Sequence, residues 1–182
     1  MFITLEGPEG SGKSSQAKRW AQALRRAGHP VAVVCDPGST DLGRRLRRVL
    51  LHSHHRLSPL TEALLFIAGR IQLVEECITP ALNAGRVVVC DRFHDSTIAY
   101  QGYGGRLDVR WLEGVSRRAI GGRMPDLTIL LDVPTRVGFA RLNRKKDRME
   151  RKAAAFHRRV RNGFLRIARS EPTRVVLIDA TN

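Results

Sequence analysis

The run Gly7-Pro8-Glu9-Gly10-Ser11-Gly12-Lys13-Ser14 has the spacing G-x-x-x-x-G-K-S. Glycines so placed let backbone N–H groups turn inward on a phosphate, and a helix opening beside them adds the positive end of its dipole. Lys13 offers a point charge for the β and γ oxygens, and the Ser14 hydroxyl, with Ser15 next to it, reaches the same region and can ligate Mg2+. The setting agrees, because the apolar run "FITLE" before the loop reads as a strand. Such a loop implies binding of a nucleoside triphosphate. It leaves Glu9 to be explained, since a carboxylate facing phosphates in a low-dielectric site is repelled by a few kcal/mol. Pointed across the loop, the same carboxylate is free to serve a second substrate.

A second acid stands at the end of "VVVCDR", four apolar residues followed by Asp91 and Arg92. An aspartate at the carboxyl end of a buried strand is the Walker B arrangement, which sets Asp91 beside the loop to hold Mg2+, with Arg92 reaching the same crevice.

The elements that must position these groups alternate. "FITLE", "VAVVC", "VVVC", "LTILLDV" and "RVVLID" are β-rich runs without polar alternation, the pattern of strands buried on both faces. A helix is predicted from Ser14 to Ala27, closed by Gly28 and Pro30. A longer one runs through "SPLTEALLFIAGRIQLVEECITPALNAG", where Leu60, Leu64, Ile67, Ile71, Val74 and Ile78 recur at helical spacing. Ser58 and Glu62 flank its start, and Pro80 should disturb its last turn. Strand–helix alternation implies a parallel sheet covered on both faces. No repeat or linker divides the chain, so residues 1–182 are read as one α/β domain of the P-loop NTPase class.

Bulk properties narrow the class further. No window approaches the roughly 18 uninterrupted apolar residues of a membrane span, and "MFITLEGPEG" lacks the pattern of a signal peptide. A cytoplasmic protein is the expectation. Cys35, Cys77 and Cys90 show no C-x-x-C spacing and read as reduced thiols. "HSHH" around His54 and His55 reads as a loop. The net charge of +15 is uneven: thirteen of the 32 Lys and Arg, but two of the 17 Asp and Glu, lie between Arg136 and Arg169. That concentration points to a local polyanion site, as in a small kinase whose lid closes over a transferred phosphoryl group. No guanine-reading N-K-x-D pattern is present.

The stretches "FITLEGPEGSGKSSQ", "DPGSTDLGRRLRRVLL", "TEALLFIAGRIQLV", "CDRFHDSTIAYQGYG" and "PDLTILLDV" together resemble bacterial thymidylate kinases, in order and over nearly the whole chain. The resemblance implies a sheet in order 2-3-1-4-5, a short basic lid over about residues 141–152, and transfer of the γ-phosphoryl of MgATP to thymidine monophosphate in dTTP synthesis. It implies that Phe66 stacks on thymine and Arg70, one helical turn on, bonds the base. Arg47 and Arg92 would hold the monophosphate, Ser96, Thr97 and Gln101 would surround the nucleoside, and Tyr100 would crowd the sugar 2′ position. Glu9 would accept from the sugar 3′-hydroxyl. With Gly10 where a second subclass carries an arginine, the lid would supply the catalytic cations from Arg141, Arg144 or Arg148. A homodimer follows from the resemblance alone.

Departures matter too. Cys35-Asp36-Pro37-Gly38-Ser39 stands where the family reads Arg-Glu-Pro-Gly-Gly, so one phosphate ligand is missing while Asp36 can still accept hydrogen bonds or organise Mg2+. The family runs on into a C-terminal helix, with adenine against backbone near Ala180 and Thr181. Arg158, Arg159 and Arg161 receive no role. Two other readings stay open: a kinase for another nucleoside monophosphate, and a basic P-loop ATPase that binds nucleic acid. The second fits the sequence less well, because Phe139, Phe156 and Phe164 fall at apolar helix positions and not on a stacking face.

Overall fold

Strands rich in Val, Ile and Leu and buried on two faces need partners on both sides and helices above and below. In the computed structural model, which describes residues 1–52, 56–143 and 145–181, that is the outcome. Five strands, β1 (Phe2–Glu6), β2 (Val31–Cys35), β3 (Val87–Asp91), β4 (Leu127–Asp132) and β5 (Val175–Asp179), form one sheet in order β2-β3-β1-β4-β5. All neighbours run parallel, with Leu5 opposite Asp91 and Glu6 opposite Leu130. The phosphate loop therefore leaves the sheet at its centre, beside the end of β3.

Alternate residues of the central strands enter different layers. Ile3, Leu5, Val89, Ile129 and Leu131 pack with Ala17 and Ala21 of α1 (Lys13–Arg26). Phe2, Val88 and Cys90 face Leu73, Val74 and Ile78 on the other side. The remaining helices are α2 (Asp41–His52), α3 (Pro59–Leu73), α4 (Thr79–Asn83), α5 (His94–Thr97), α6 (Val109–Ala119), α7 (Thr135–Ala140) and α8 (Ala154–Ser170), with α2 against α3 and α7 against α8.

Three local outcomes differ from the sequence reading. The long helix is divided: α3 passes through a π-helical turn, Val74–Ile78, into α4. Pro80 sits in the first turn of α4, directly after the π-helical turn. Leu60 and Leu64, part of the apolar periodicity, are 42% and 46% exposed, so α3 carries an uncovered apolar strip near its start. Strand β5 is an edge strand; Val175 is buried but Val176, Leu177 and Ile178 are exposed. Apolar content cannot distinguish a central strand from an edge whose cover is absent. Arg174 anchors that edge, pairing with Asp95 at 2.8 Å and with Glu171 at 2.6 Å.

Candidate active site

The phosphate loop is built for an anion. Gly12, at φ 87°, caps α1 without a side-chain acceptor, and no acid lies in the first turn, so the helix N-terminus keeps its amide donors. Lys13 Nζ donates to the Pro8 carbonyl (2.8 Å) and to Ser11 Oγ (3.3 Å). Burial, with Arg92 nearby, lowers its pKa to about 8, although Glu9, Asp91 and Glu6 oppose the shift. The Ser14 hydroxyl donates to Asp91 Oδ2, so the two residues expected at a metal are already in contact. Gly10 has φ 71°, and a Cβ there would lie 1.9 Å from the Gly138 carbonyl oxygen. The loop thus packs backbone to backbone on α7, leaving no room at that position for an arginine.

Glu9 turns away from this cradle. Its carboxylate accepts from Arg92 Nη2 (3.1 and 3.2 Å) and from the Tyr100 hydroxyl (2.6 Å). Burial alone would raise its pKa, but Arg92 and Lys13 outweigh burial and hold it at about 2. Burial also works against the charge of Arg92; Tyr100, Glu9, Asp91 and Glu6 keep it protonated. Arg92 further donates to the Gly7 carbonyl (3.3 Å) and Ser96 Oγ (3.1 Å), and its guanidinium lies 5.1 Å from the Tyr100 ring centre. Its backbone is left-handed at φ 69°, a conformation a branched or long side chain holds only when its surroundings impose it. Glu6 does so. At the end of β1, fully buried, it accepts from the Phe93 N–H (2.7 Å), the Ser96 N–H (3.2 Å) and Ser96 Oγ (2.5 Å). Burial and the neighbouring Asp95 raise its pKa to about 7.

Across a cavity of about 450 Å3, the same site has a second wall. Phe66, Arg70, Asp36, Arg47, Thr97 and Gln101 line it, facing Glu9, Lys13, Ser14 and Ser15 of the loop. Arg70 is 1% exposed; Nε donates to Asp36 Oδ2 (2.6 Å), Nη2 to Thr97 Oγ1 (2.7 Å) and Nη1 to Ser116 Oγ (3.4 Å). Burial raises the pKa of Asp36 in spite of Arg70, and its Oδ1 has no hydrogen-bond partner among the described residues. Arg47 Nη1 donates to the Pro37 carbonyl (2.9 Å). Cys35 also lines the cavity, where the resemblance has an arginine.

The lid region, from residue 141 to 152, has turns but no helix or strand among its described residues. Arg141 lines the cavity and donates to the carbonyls of Ala180 (2.8 Å) and Thr181 (2.6 Å), the stretch where adenine is expected. Arg144 lies outside the described residues. Arg148, one of the three lid cations offered for the transferred phosphoryl, donates through Nη1 to Glu62 Oε1 (2.6 Å) and through Nε to the Leu50 carbonyl (2.7 Å). Part of the basic excess without a role is structural. Arg159 donates to the Gly104 carbonyl (2.7 Å), and Arg161 grips Asp132 through two bonds of 2.8 Å.

Most of the residues predicted for the site therefore line one cavity, while Glu6 and Glu62, buried acids bonded to residues of that lining, were not singled out for the site from the sequence. A lone acid ending an apolar run was the visible signal for Glu6. Glu62 resembled a capping residue, yet Ser58 alone accepts from the Thr61 N–H.

Known proteins agree with this geometry. A sequence model of the family described as "Thymidylate kinase" matches residues 5–182. The thymidylate kinase of Deinococcus radiodurans is 48% identical over 183 positions, covering 100% of this chain and 89% of that protein. One from a Synechococcus strain is 49% identical, covering 99% and 86%. The crystal structure of thymidylate kinase from Ehrlichia chaffeensis superposes with a TM-score of 0.81 at 35% identity, over 98% of this chain and 90% of that one. With the family model matched over residues 5–182 and relatives 48% and 49% identical over almost the whole chain, the chain belongs to the thymidylate kinase family.

Proposed function

We propose that the chain transfers the γ-phosphoryl group of ATP to thymidine monophosphate, and that the residues of the cavity divide between donor and acceptor. The carrying observation is the cavity itself, in which the phosphate loop and the Phe66–Arg70 wall face each other with the Glu9–Arg92 pair between them. In the reaction an oxygen of the acceptor monophosphate attacks the γ-phosphorus, the bond to the β–γ bridging oxygen breaks, and ADP leaves. Catalysis then consists of positioning and charge stabilisation. The amides of the loop and Lys13 hold the donor phosphates, Lys13 exchanging the Pro8 carbonyl for phosphate oxygens. Arg47 and Arg92 hold the acceptor phosphate, and Arg141 reaches in from the lid. Phe66 stacks on the base, Arg70 and Gln101 bound it, and Tyr100 closes the space at the sugar.

The Ser14 hydroxyl and Asp91 carboxylate fit Mg2+, which takes few protein oxygens and completes its shell with phosphate oxygens and water. No cluster of three His, Cys, Asp or Glu side chains suits another metal among the described residues. When bound, Mg2+ would neutralise charge on the β and γ phosphoryl groups. Residues 1–182 act as one kinase domain with its lid over about 141–152, working as a cytoplasmic enzyme. No helix among the described residues is long and apolar enough to cross a membrane. The exposed leucines of α3, with Leu42 and Val49 of α2 beside it, favour a homodimer. Nucleic acid binding is not favoured, because Arg148, Arg159 and Arg161 are committed to internal partners.

Steady-state rates with MgATP and thymidine, deoxyuridine, adenosine or guanosine monophosphate test the assignment. Thymidine monophosphate should give the highest kcat/KM; equal values on purine substrates overturn the stacking role of Phe66.

A further inference from the structure

Glu62 is the residue on which the lid and the base pocket meet. It lies in the first turn of α3 and is 1% exposed. A buried carboxylate is tolerated only with charged or strong donors around it, and here three come from two different parts of the chain. Arg148 Nη1 (2.6 Å) and Lys152 Nζ (2.9 and 2.8 Å) arrive from the lid, and Gln101 Nε2 (3.3 Å) from the wall of the base pocket. Among its described residues the lid has no strand or helix to hold it by a ladder of backbone bonds. This ion cluster ties it to the body, together with Arg148 bonds to the carbonyls of Leu50 and Leu51 at 2.7 and 2.9 Å and the burial of Met149 in the core. Met149, next to Arg148, lines the same cavity as Gln101.

We infer that Glu62 is a positioning residue which latches the C-terminal half of the lid to the acceptor side of the site, so that the lid and the base pocket are ordered together. The inference rests on the thymidylate kinase reading for the identity of the acceptor. Physically, the carboxylate neutralises two lid cations that would otherwise repel each other; Lys152 spans both of its oxygens, of which Oε1 also takes the Arg148 bond and Oε2 also holds the Gln101 amide. Losing the charge releases the lid and leaves Gln101 unanchored, while the phosphate loop, which makes none of these bonds, is untouched.

The test is Glu62→Gln on the full chain, with two readouts. Without nucleotide, limited trypsin digestion mapped by mass spectrometry should show cleavage within residues 145–152 about tenfold faster than in the parent, because the ordered segment opens more often. In steady state, KM for thymidine monophosphate should rise about tenfold, as for loss of a charged hydrogen-bond network, with KM for ATP changed less than about twofold. In an Arg148→Met background the Glu62→Gln effect on that KM should shrink below about twofold, since the two residues act as one unit. Unchanged lid cleavage, equal changes in both KM values, or independent multiplication in the double variant each overturn the inference. Should Glu62→Gln fail to fold, Arg148→Met alone must reproduce the faster lid cleavage and the KM rise, and its failure to do so overturns it equally. A parent enzyme that ignores thymidine monophosphate would refute the functional reading, whereas the nucleotide-free digestion still decides the latch.

Discussion

At the residue scale the site works by opposing charges that satisfy one another before any nucleotide arrives. Glu9 sits in a phosphate loop without harm because Arg92 and Tyr100 draw its carboxylate away from the phosphate cradle. A carboxylate has about four acceptor positions, so a sugar hydroxyl can join these donors. Glu9→Gln removes the charge that orients Arg92 and weakens the acceptor for that hydroxyl. It should raise KM for thymidine monophosphate by about ten- to a hundredfold, the scale of a charge-assisted bond, and leave ATP affinity nearly intact. Equal damage to ATP binding in steady-state kinetics would show the carboxylate serving the donor. Glu6 illustrates how an unremarkable acid shapes chemistry it never touches: it grips the backbone after Arg92 and holds that residue left-handed.

At the element scale the decisive contact is between the phosphate loop and α7, which leads into the lid. Gly10 and Gly138 meet there, and a Cβ on Gly138 would lie 2.1 Å from the Glu9 carbonyl oxygen. Backbone on both sides leaves nothing flexible to move aside, so Gly138→Ala must push α7 and the loop apart. Overpacking of this kind costs about 1–3 kcal/mol. The melting temperature should fall by roughly 2–10 °C in a chain of this size, with a lower kcat because loop and lid lose their register. Calorimetry and initial rates check it; a variant with the parent's melting point and kcat would mean the contact is slack. The π-helical turn Ile98–Gly104 is the other element that matters, since it carries Tyr100 and Gln101.

On the scale of the whole molecule, two features bear on the proposed dimer: the exposed leucines of α3 and a charge of +15. Pairing two such chains across Leu60 and Leu64 buries apolar surface but brings like charges together. Screening at about 8 Å in physiological salt reduces that repulsion, so association should strengthen as salt rises. Leu64→Glu places a charge in the strip and should shift sedimentation from dimer to monomer. A monomeric parent at every salt concentration would contradict the pairing.

The sequence alone determined the strand, turn and helix start around Gly7 to Ser14, the meeting of Ser14 with Asp91 and the parallel sheet, and the resemblance named Phe66, Arg70 and Arg92, which line the cavity beside the loop. These were legible because local spacing encodes them: a turn followed by a helix start, a strand ending in an acid, an aromatic and an arginine one helical turn apart. Tertiary structure decided the rest. Arg148 reads as a lid cation until a glutamate 86 residues away in sequence is seen beneath it. Glu6 reads as the end of a strand until Ser96, 90 positions on, folds over it. Leu60 and Val176 read as core until the structure leaves them uncovered. Periodicity states which residues prefer to leave water and charge states which need partners, but which partner each one finds depends on how distant segments close around the sheet.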